Sequence, residues 1–181
     1  MMNTDYLAGW DVKKEQQKAD FMEHFEVSTD SPSGLIWKKK PSKYSNKKIG
    51  SPAGTLQKDK RGLKTYEYWV VQFKNQRYPA SHIVWYLYGR TIPRGIEIDH
   101  KDTNAKNNSI DNLRLATRSQ QCCNQKRVNV SFCNTKKKWI AKIGINNKST
   151  YLGAFSNQEE ALACYNQAAE KIHGEFACLT T

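Results

Sequence analysis

The sequence predicts an α+β protein: a small antiparallel sheet leading into a polar, chemistry-rich segment, followed by a three-stranded antiparallel sheet packed on one helix. Two observations carry that expectation. Apolar residues alternate with period two along 66–74 and again along 139–145, the pattern of half-buried strands. Ala161, Leu162, Tyr165, Ala168, Ala169 and Ile172 then form an apolar stripe at helical spacing, which needs a sheet face to cover. A chain of 181 residues with 38% apolar content can bury the core of one medium domain or two small ones.

Taken in order, Met1 to Asp30 carries seven acids against three lysines and reads as an acidic arm, with a short helix over Lys13 to Phe25. Ser31-Pro32-Ser33-Gly34 is a turn into the short strand Leu35-Ile36-Trp37. Ala53 to Lys58, Tyr66 to Lys74 and Arg77 to Ser81 read as strands, the last two joined at Asn75-Gln76. His82 to Tyr88 is apolar almost throughout and ends at Gly89, which suits a short buried helix closed by a left-handed glycine. After Pro93 and Gly95, a strand over Ile96 to Asp99 turns its isoleucines to one side and its acids to the other. Thr117-Arg118-Ser119-Gln120 matches a capping box and starts a helix running to about Arg127. A hairpin turning at Asn146-Asn147 follows, and Ser156-Asn157-Gln158-Glu159 is a second capping box before the striped helix, which Gly174 closes. The expected divisions are therefore an arm over 1–30, a central domain over 31–127 and a final domain over 128–181.

Charge narrows the partner. The net charge is +12, and it is concentrated: Lys38 to Arg61 holds nine cations against Asp59 alone, and Asn112 to Gln158 holds nine with no acid. Two basic surfaces on so small a chain point to a polyanion, since neutralised phosphates release counterions and supply affinity. Five cysteines with no Cys-x-x-Cys pair indicate neither a disulfide framework nor a structural zinc site. No apolar run reaches the ~18 residues of a membrane span, so the expectation is a soluble intracellular protein with no membrane partner.

The chemistry sits in Ile96 to Asn124. Phosphodiester cleavage needs an activated water, a cation to neutralise developing charge, and a group that holds the base in the right tautomer. Asp99 and His100 are adjacent at a strand end, so their side chains point to opposite sides: one can hold a cation while the other faces a water. Asn112 follows twelve residues later and can position the imidazole. Gln121 and Asn124, three apart on one helix face, offer amide oxygens, hard ligands suited to one Mg²⁺ or Mn²⁺ ion.

The segment from about Ser33 to Asn124 resembles the HNH (ββα-metal) endonucleases, in particular the phage and intron-encoded homing type. The resemblance rests on Gly34-Leu35-Ile36-Trp37, Gly50 to Gly54, Ser81-His82-Ile83-Val84-Trp85, Ile92-Pro93-Arg94-Gly95, Ile98-Asp99-His100, Asn107-Asn108 and Asn112-Leu113-Arg114. It implies a ββα-metal nuclease core with His100 as general base, Asp99 as metal ligand and Asn112 as the residue orienting His100. Gln121 stands where the family commonly has an asparagine ligand, with Asn124 the alternative. Arg114 and Arg118 are read as phosphate clamps and His82 as a structural histidine.

Beyond residue 128, Asn129-Val130-Ser131, Lys138 to Ile143, Tyr151 to Phe155, Glu159-Glu160-Ala161 and His173 to Ala177 resemble the Apetala-type (ethylene-response-factor) DNA-binding domain. That likeness implies a three-stranded sheet laid in the major groove, with Lys136, Lys142, Ser149 and Tyr151 meeting double-stranded DNA. Where plant members carry several arginines, this chain has lysines and neutral residues, which lack the bidentate fork that reads guanine. The expected function is a site-specific, metal-dependent endonuclease acting as a monomer in a cytoplasm, a bacterial host's if phage-encoded. The alternatives are a DNA-binding regulator on an inactive HNH scaffold and, last, a binder of structured RNA.

Overall fold

A computed structural model describes residues 15–61, 64–123, 129–145, 148–177 and 179. Asn124, the expected extension of a helix to Arg127, the Asn146-Asn147 turn and Cys178 lie outside them. The architecture is α+β, and the chain divides into two compact units, Met1–Leu115 and Ala116–Thr181.

In the first unit helix α1, over 15–24, runs directly into β1 (Phe25–Val27), which pairs antiparallel with β2 (Leu35–Trp37). The sequence reading places these first residues in an acidic arm, but their aromatic side chains enter the core. Phe21 and Phe25 are each 1% exposed. Their rings meet edge to face at 6.1 Å, and Phe25 lies 4.7 Å from Trp37 and 5.2 Å from Phe73. Burying a phenylalanine is worth about 1.5–3 kcal/mol, enough to draw the end of a charged segment inward. The acids among the described residues stay outside: Asp20 meets Lys74 at 2.6 Å, and the hydrogen bond from that lysine holds its carboxyl below the usual range.

Strands β3 (Thr55–Arg61), β4 (Lys64–Phe73) and β5 (Gln76–Pro79) form an antiparallel meander in that order. Phe73 pairs with Gln76, so the two-residue loop is Lys74-Asn75, one position before the expected turn. Both residues have positive φ, 46° and 60°, as a type I′ hairpin requires. Helix α2 (Ala80–Leu87) follows, burying Ile83, Val84, Trp85 and Tyr86, and Gly89 at φ 74° ends it with its N–H on the Tyr86 carbonyl at 3.0 Å. Strands β6 (Glu97–His100) and β7 (Leu113–Ala116) form a two-stranded sheet, with a polar loop over 101–109 and a 3₁₀ turn, Ile110–Asn112, between them. Ile98 and Leu113 join the core and thereby fix where Asp99 and His100 stand.

The second unit begins with α3 (Arg118–Cys123). Its capping box forms as read: the Gln120 amide N–H donates to Thr117 Oγ1 at 3.3 Å and the Gln120 side chain accepts from the Thr117 N–H at 2.8 Å. Strands β8 (Val130–Cys133), β9 (Lys138–Ile145) and β10 (Lys148–Phe155) make an antiparallel sheet with β9 central, and α4 (Gln158–His173) packs on it. Val130, Ala141 and Ile143 form one core with Ala161, Tyr165 and Ala169 of α4. The helix cap falls one residue later than expected. Asn157, not Ser156, accepts from the Glu160 N–H at 2.8 Å, and its own amide reaches the Glu160 carboxylate at 3.1 Å. Ile172, the last of the stripe, is exposed.

Candidate active site

The site is built on the end of β6 and the loop that leaves it. Asp99 and His100 are half-buried on successive positions. Asp99 Oδ2 accepts from Arg114 Nε at 2.9 Å and lies 2.9 Å from Arg114 Nη2. Both groups are close to buried, with side-chain exposures of 9% for Arg114 and 12% for Asp99. The arginine read as a phosphate clamp thus carries its charge inward, against the carboxylate read as a metal ligand.

Asn112 ends the 3₁₀ turn, and its amide is spent on the loop. Nδ2 donates to Asp102 Oδ1 at 2.9 Å and to the Asn107 carbonyl at 2.8 Å, while Oδ1 accepts from the Asp102 N–H at 3.1 Å. The Lys101 N–H adds a bond to the Asn112 carbonyl at 2.9 Å, one residue beyond His100. Asn112 therefore acts on the backbone that follows the histidine.

Asp102 organises the same loop. It accepts from the Asn104 N–H and from Asn107 Nδ2, each at 2.8 Å, as well as from Asn112. Burial pushes its carboxyl upward, but these hydrogen bonds and the nearby His100 outweigh that and leave it below the ordinary carboxylate range. It is an anion at neutral pH.

The amide that faces the imidazole is that of Asn108. Its Oδ1 lies 3.1 Å from His100 Nε2, and its Nδ2 donates to the Ser33 carbonyl at 2.9 Å in a buried position. Asn108 is 5% exposed, Ser33 1%. The sequence reading takes Asn107-Asn108 for turn formers and gives Asp102 no role. A signal for Asp102 exists, since Asp-x-Asn is the pattern of an Asx turn. For Asn108 there is little to read locally, because its anchor is 75 residues away. His82 lies within electrostatic reach of His100: burial lowers its pKa, Glu97 opposes that, and His100 adds to the lowering.

Asp99 itself offers one carboxylate, a hard oxygen donor of the kind a divalent cation takes, and here it faces Arg114. Among the described residues no three of His, Cys, Asp and Glu converge as a metal cage. A cation held by Asp99 would draw its other ligands from amide, water and phosphate oxygens, as Mg²⁺ commonly does.

In the second unit Gln121 lies half-buried on α3 and Arg118 is exposed at its start; Asn124 falls outside the described residues. Lys142 pairs with Tyr151 and Gly144 with Ser149 across β9 and β10, which places Lys142, Ser149 and Tyr151 on one face. That face is opposite Ala141 and Ile143, which pack with α4, and all three residues are exposed. Lys136 is exposed in the turn between β8 and β9. Among the described residues no helix is long and apolar enough to cross a membrane.

No solved structure matches this chain. A protein of Acanthamoeba polyphaga mimivirus, named as an uncharacterized HNH endonuclease, is 37% identical over 95 residues, covering 48% of this chain and 48% of that protein. The match thus spans about half the length of that relative. Protein 3.8 of Escherichia phage T7 is 29% identical over 110 residues, 55% of this chain and 88% of the phage protein. Residues 78–122 match the HNH endonuclease family. Asp99, His100, Asn108, Asn112 and Arg114 all fall inside that range, so the loop and strand end described above lie in the part of the chain that is similar to the HNH endonucleases.

Proposed function

We propose that this chain is a metal-dependent endonuclease of the homing type that cuts or nicks double-stranded DNA, with His100 as general base. The observation that carries the reading is a strand end where an acid and a histidine stand side by side, with buried amide contacts holding the histidine, inside the segment that matches the HNH family. His100 takes a proton from the attacking water, and Asn108 and Asn112 hold the ring and its following loop in place. Asp99 binds the cation, Mg²⁺ or Mn²⁺, with an amide of Gln121 or Asn124 as the second protein donor. When bound, that cation supplies neutralising charge for the scissile phosphate and its leaving oxygen. Arg118 contacts phosphate, and Lys136, Lys142, Ser149 and Tyr151 dock an Apetala-like sheet over 128–181 on the duplex. The protein works as a monomer inside the cell.

Supercoiled plasmid tests this. With Mg²⁺ or Mn²⁺ present, nicked or linear product is expected, lost on chelation and lost in Asp99→Ala. Cutting that survives the chelator would sink the metal-dependent reading. One observation favours the rival, a DNA-binding regulator on a silent scaffold: the Asp99 carboxylate is already neutralised by Arg114. A protein that binds DNA but cuts neither plasmid nor its native target would support that rival.

A further inference from the structure

We propose that Asn108 is the positioning residue that sets the tautomer of His100, placing the proton on Nε2 and the basic lone pair on Nδ1; this rests on the reading of His100 as the base. The inference starts at Ser33. A backbone carbonyl only accepts, and Asn108 Nδ2 donates to it at 2.9 Å. That bond decides which end of the amide is which. With Nδ2 turned to Ser33, the atom 3.1 Å from His100 Nε2 is Oδ1. An amide oxygen has lone pairs and no hydrogen, so the ring nitrogen must bring the proton. The opposite tautomer would set two lone pairs against each other beside a side chain that is 5% exposed, where an unmade hydrogen bond is costly.

The anchor is itself held. Ser33 Oγ donates to the Ala53 carbonyl and lies 3.2 Å from Ser31 Oγ. The Gly34 N–H donates to the Ser31 carbonyl at 2.9 Å, and Gly34 has φ +80°. A Cβ on Gly34 would sit 3.4 Å from Asn108 Cβ, so this glycine lets the turn close against the asparagine. The turn between β1 and β2 thus reaches through one amide to the imidazole. Asn112 and Asp102 shape the loop backbone, while Asn108 decides which nitrogen can act.

Long-range ¹H–¹⁵N NMR of the full-length, metal-free protein, at a pH where His100 is neutral, reads the tautomer without any need for activity. The wild type is expected to carry the proton on Nε2. Asn108→Asp loses the donor to Ser33 and with it some stability, but keeps an accepting oxygen toward Nε2 and should keep that tautomer, whereas Asn108→Leu should give a mixture. In single-turnover cleavage Asn108→Leu should lose about 100-fold or more in rate while its DNA affinity stays within about twofold. A wild-type ring protonated on Nδ1, or an Asn108→Leu ring with the wild-type tautomer, overturns the proposal. Should Asn108→Leu not fold, the wild-type spectrum still decides. A wild type that cuts no DNA refutes the nuclease reading instead, and leaves the NMR result standing.

Discussion

Replacing Arg114 by methionine removes the cation that faces Asp99 and leaves a carboxylate whose side chain is only 12% exposed. Removing one partner of a buried ion pair typically costs about 3–5 kcal/mol, because the remaining charge is desolvated without compensation. Both groups keep some contact with water, so the lower end applies, about 3 kcal/mol. With a urea slope of about 2 kcal/mol per molar, the midpoint should fall by about 1.5 M in chelator. Two companions separate the causes. Asp99→Asn with Arg114→Met removes both charges and should lose less than Arg114→Met alone. Adding Mn²⁺ to Arg114→Met should restore much of the loss, because a ligand at 100 times its dissociation constant stabilises by about 2.7 kcal/mol. The wild type should gain less, since there the cation must displace a guanidinium. Urea titration followed by tryptophan fluorescence reads all of these. A midpoint for Arg114→Met within about 0.3 M of wild type, below what the cited slope and pair cost allow, would refute the reasoning. So would equal Mn²⁺ stabilisation of both proteins.

Other consequences can be checked alongside. Asn112→Ala deletes three loop hydrogen bonds and should cost about 2–3 kcal/mol in the same titration; Asn112→Asp should be worse at pH 7, with a carboxylate opposite Asp102, and should approach the alanine variant below about pH 4. Glu67 is drawn down to about 2 by hydrogen bonds from Lys58 and Lys106, and Asp102 is lowered too. A depressed folded value means these groups stabilise above their unfolded values and cease to do so as pH falls, so thermal stability should decline from about pH 4.5 downward, less steeply in Glu67→Gln. Lys142→Ala should weaken DNA binding alike for all sequences and reduce the salt slope by about one unit, measured by fluorescence anisotropy across salt concentrations.

Much of the fold was legible where the physics is local. Trp69, Val71 and Phe73 declare a strand by alternation, and Thr117 with Gln120 declares a helix start by capping. Local signals also misled by one residue where two solutions were chemically close: Ser156 and Asn157 can both cap, and only the position of Glu160 in space chooses Asn157. Phe21 and Phe25 were visible as an apolar cluster, yet their partners Trp37 and Phe73 lie far along the chain, so nothing nearby revealed that the acidic segment ends in the core. The site divides in the same way. The adjacency of Asp99 and His100 at a strand end is a sequence fact with a chemical meaning. The role of Asn108 is not, because an Asn-Asn pair is ordinary turn chemistry until the Ser33 carbonyl is placed beside it.

The most direct test of His100 as the general base is the single-turnover cleavage rate of His100→Ala on plasmid DNA in saturating Mg²⁺ or Mn²⁺, with circular dichroism confirming a folded variant. A general base contributes about 10² to 10⁴ in rate. The expected result is a loss of that size with DNA affinity retained. Cleavage by His100→Ala at the wild-type rate would contradict the assignment and move the search for the base elsewhere in the chain.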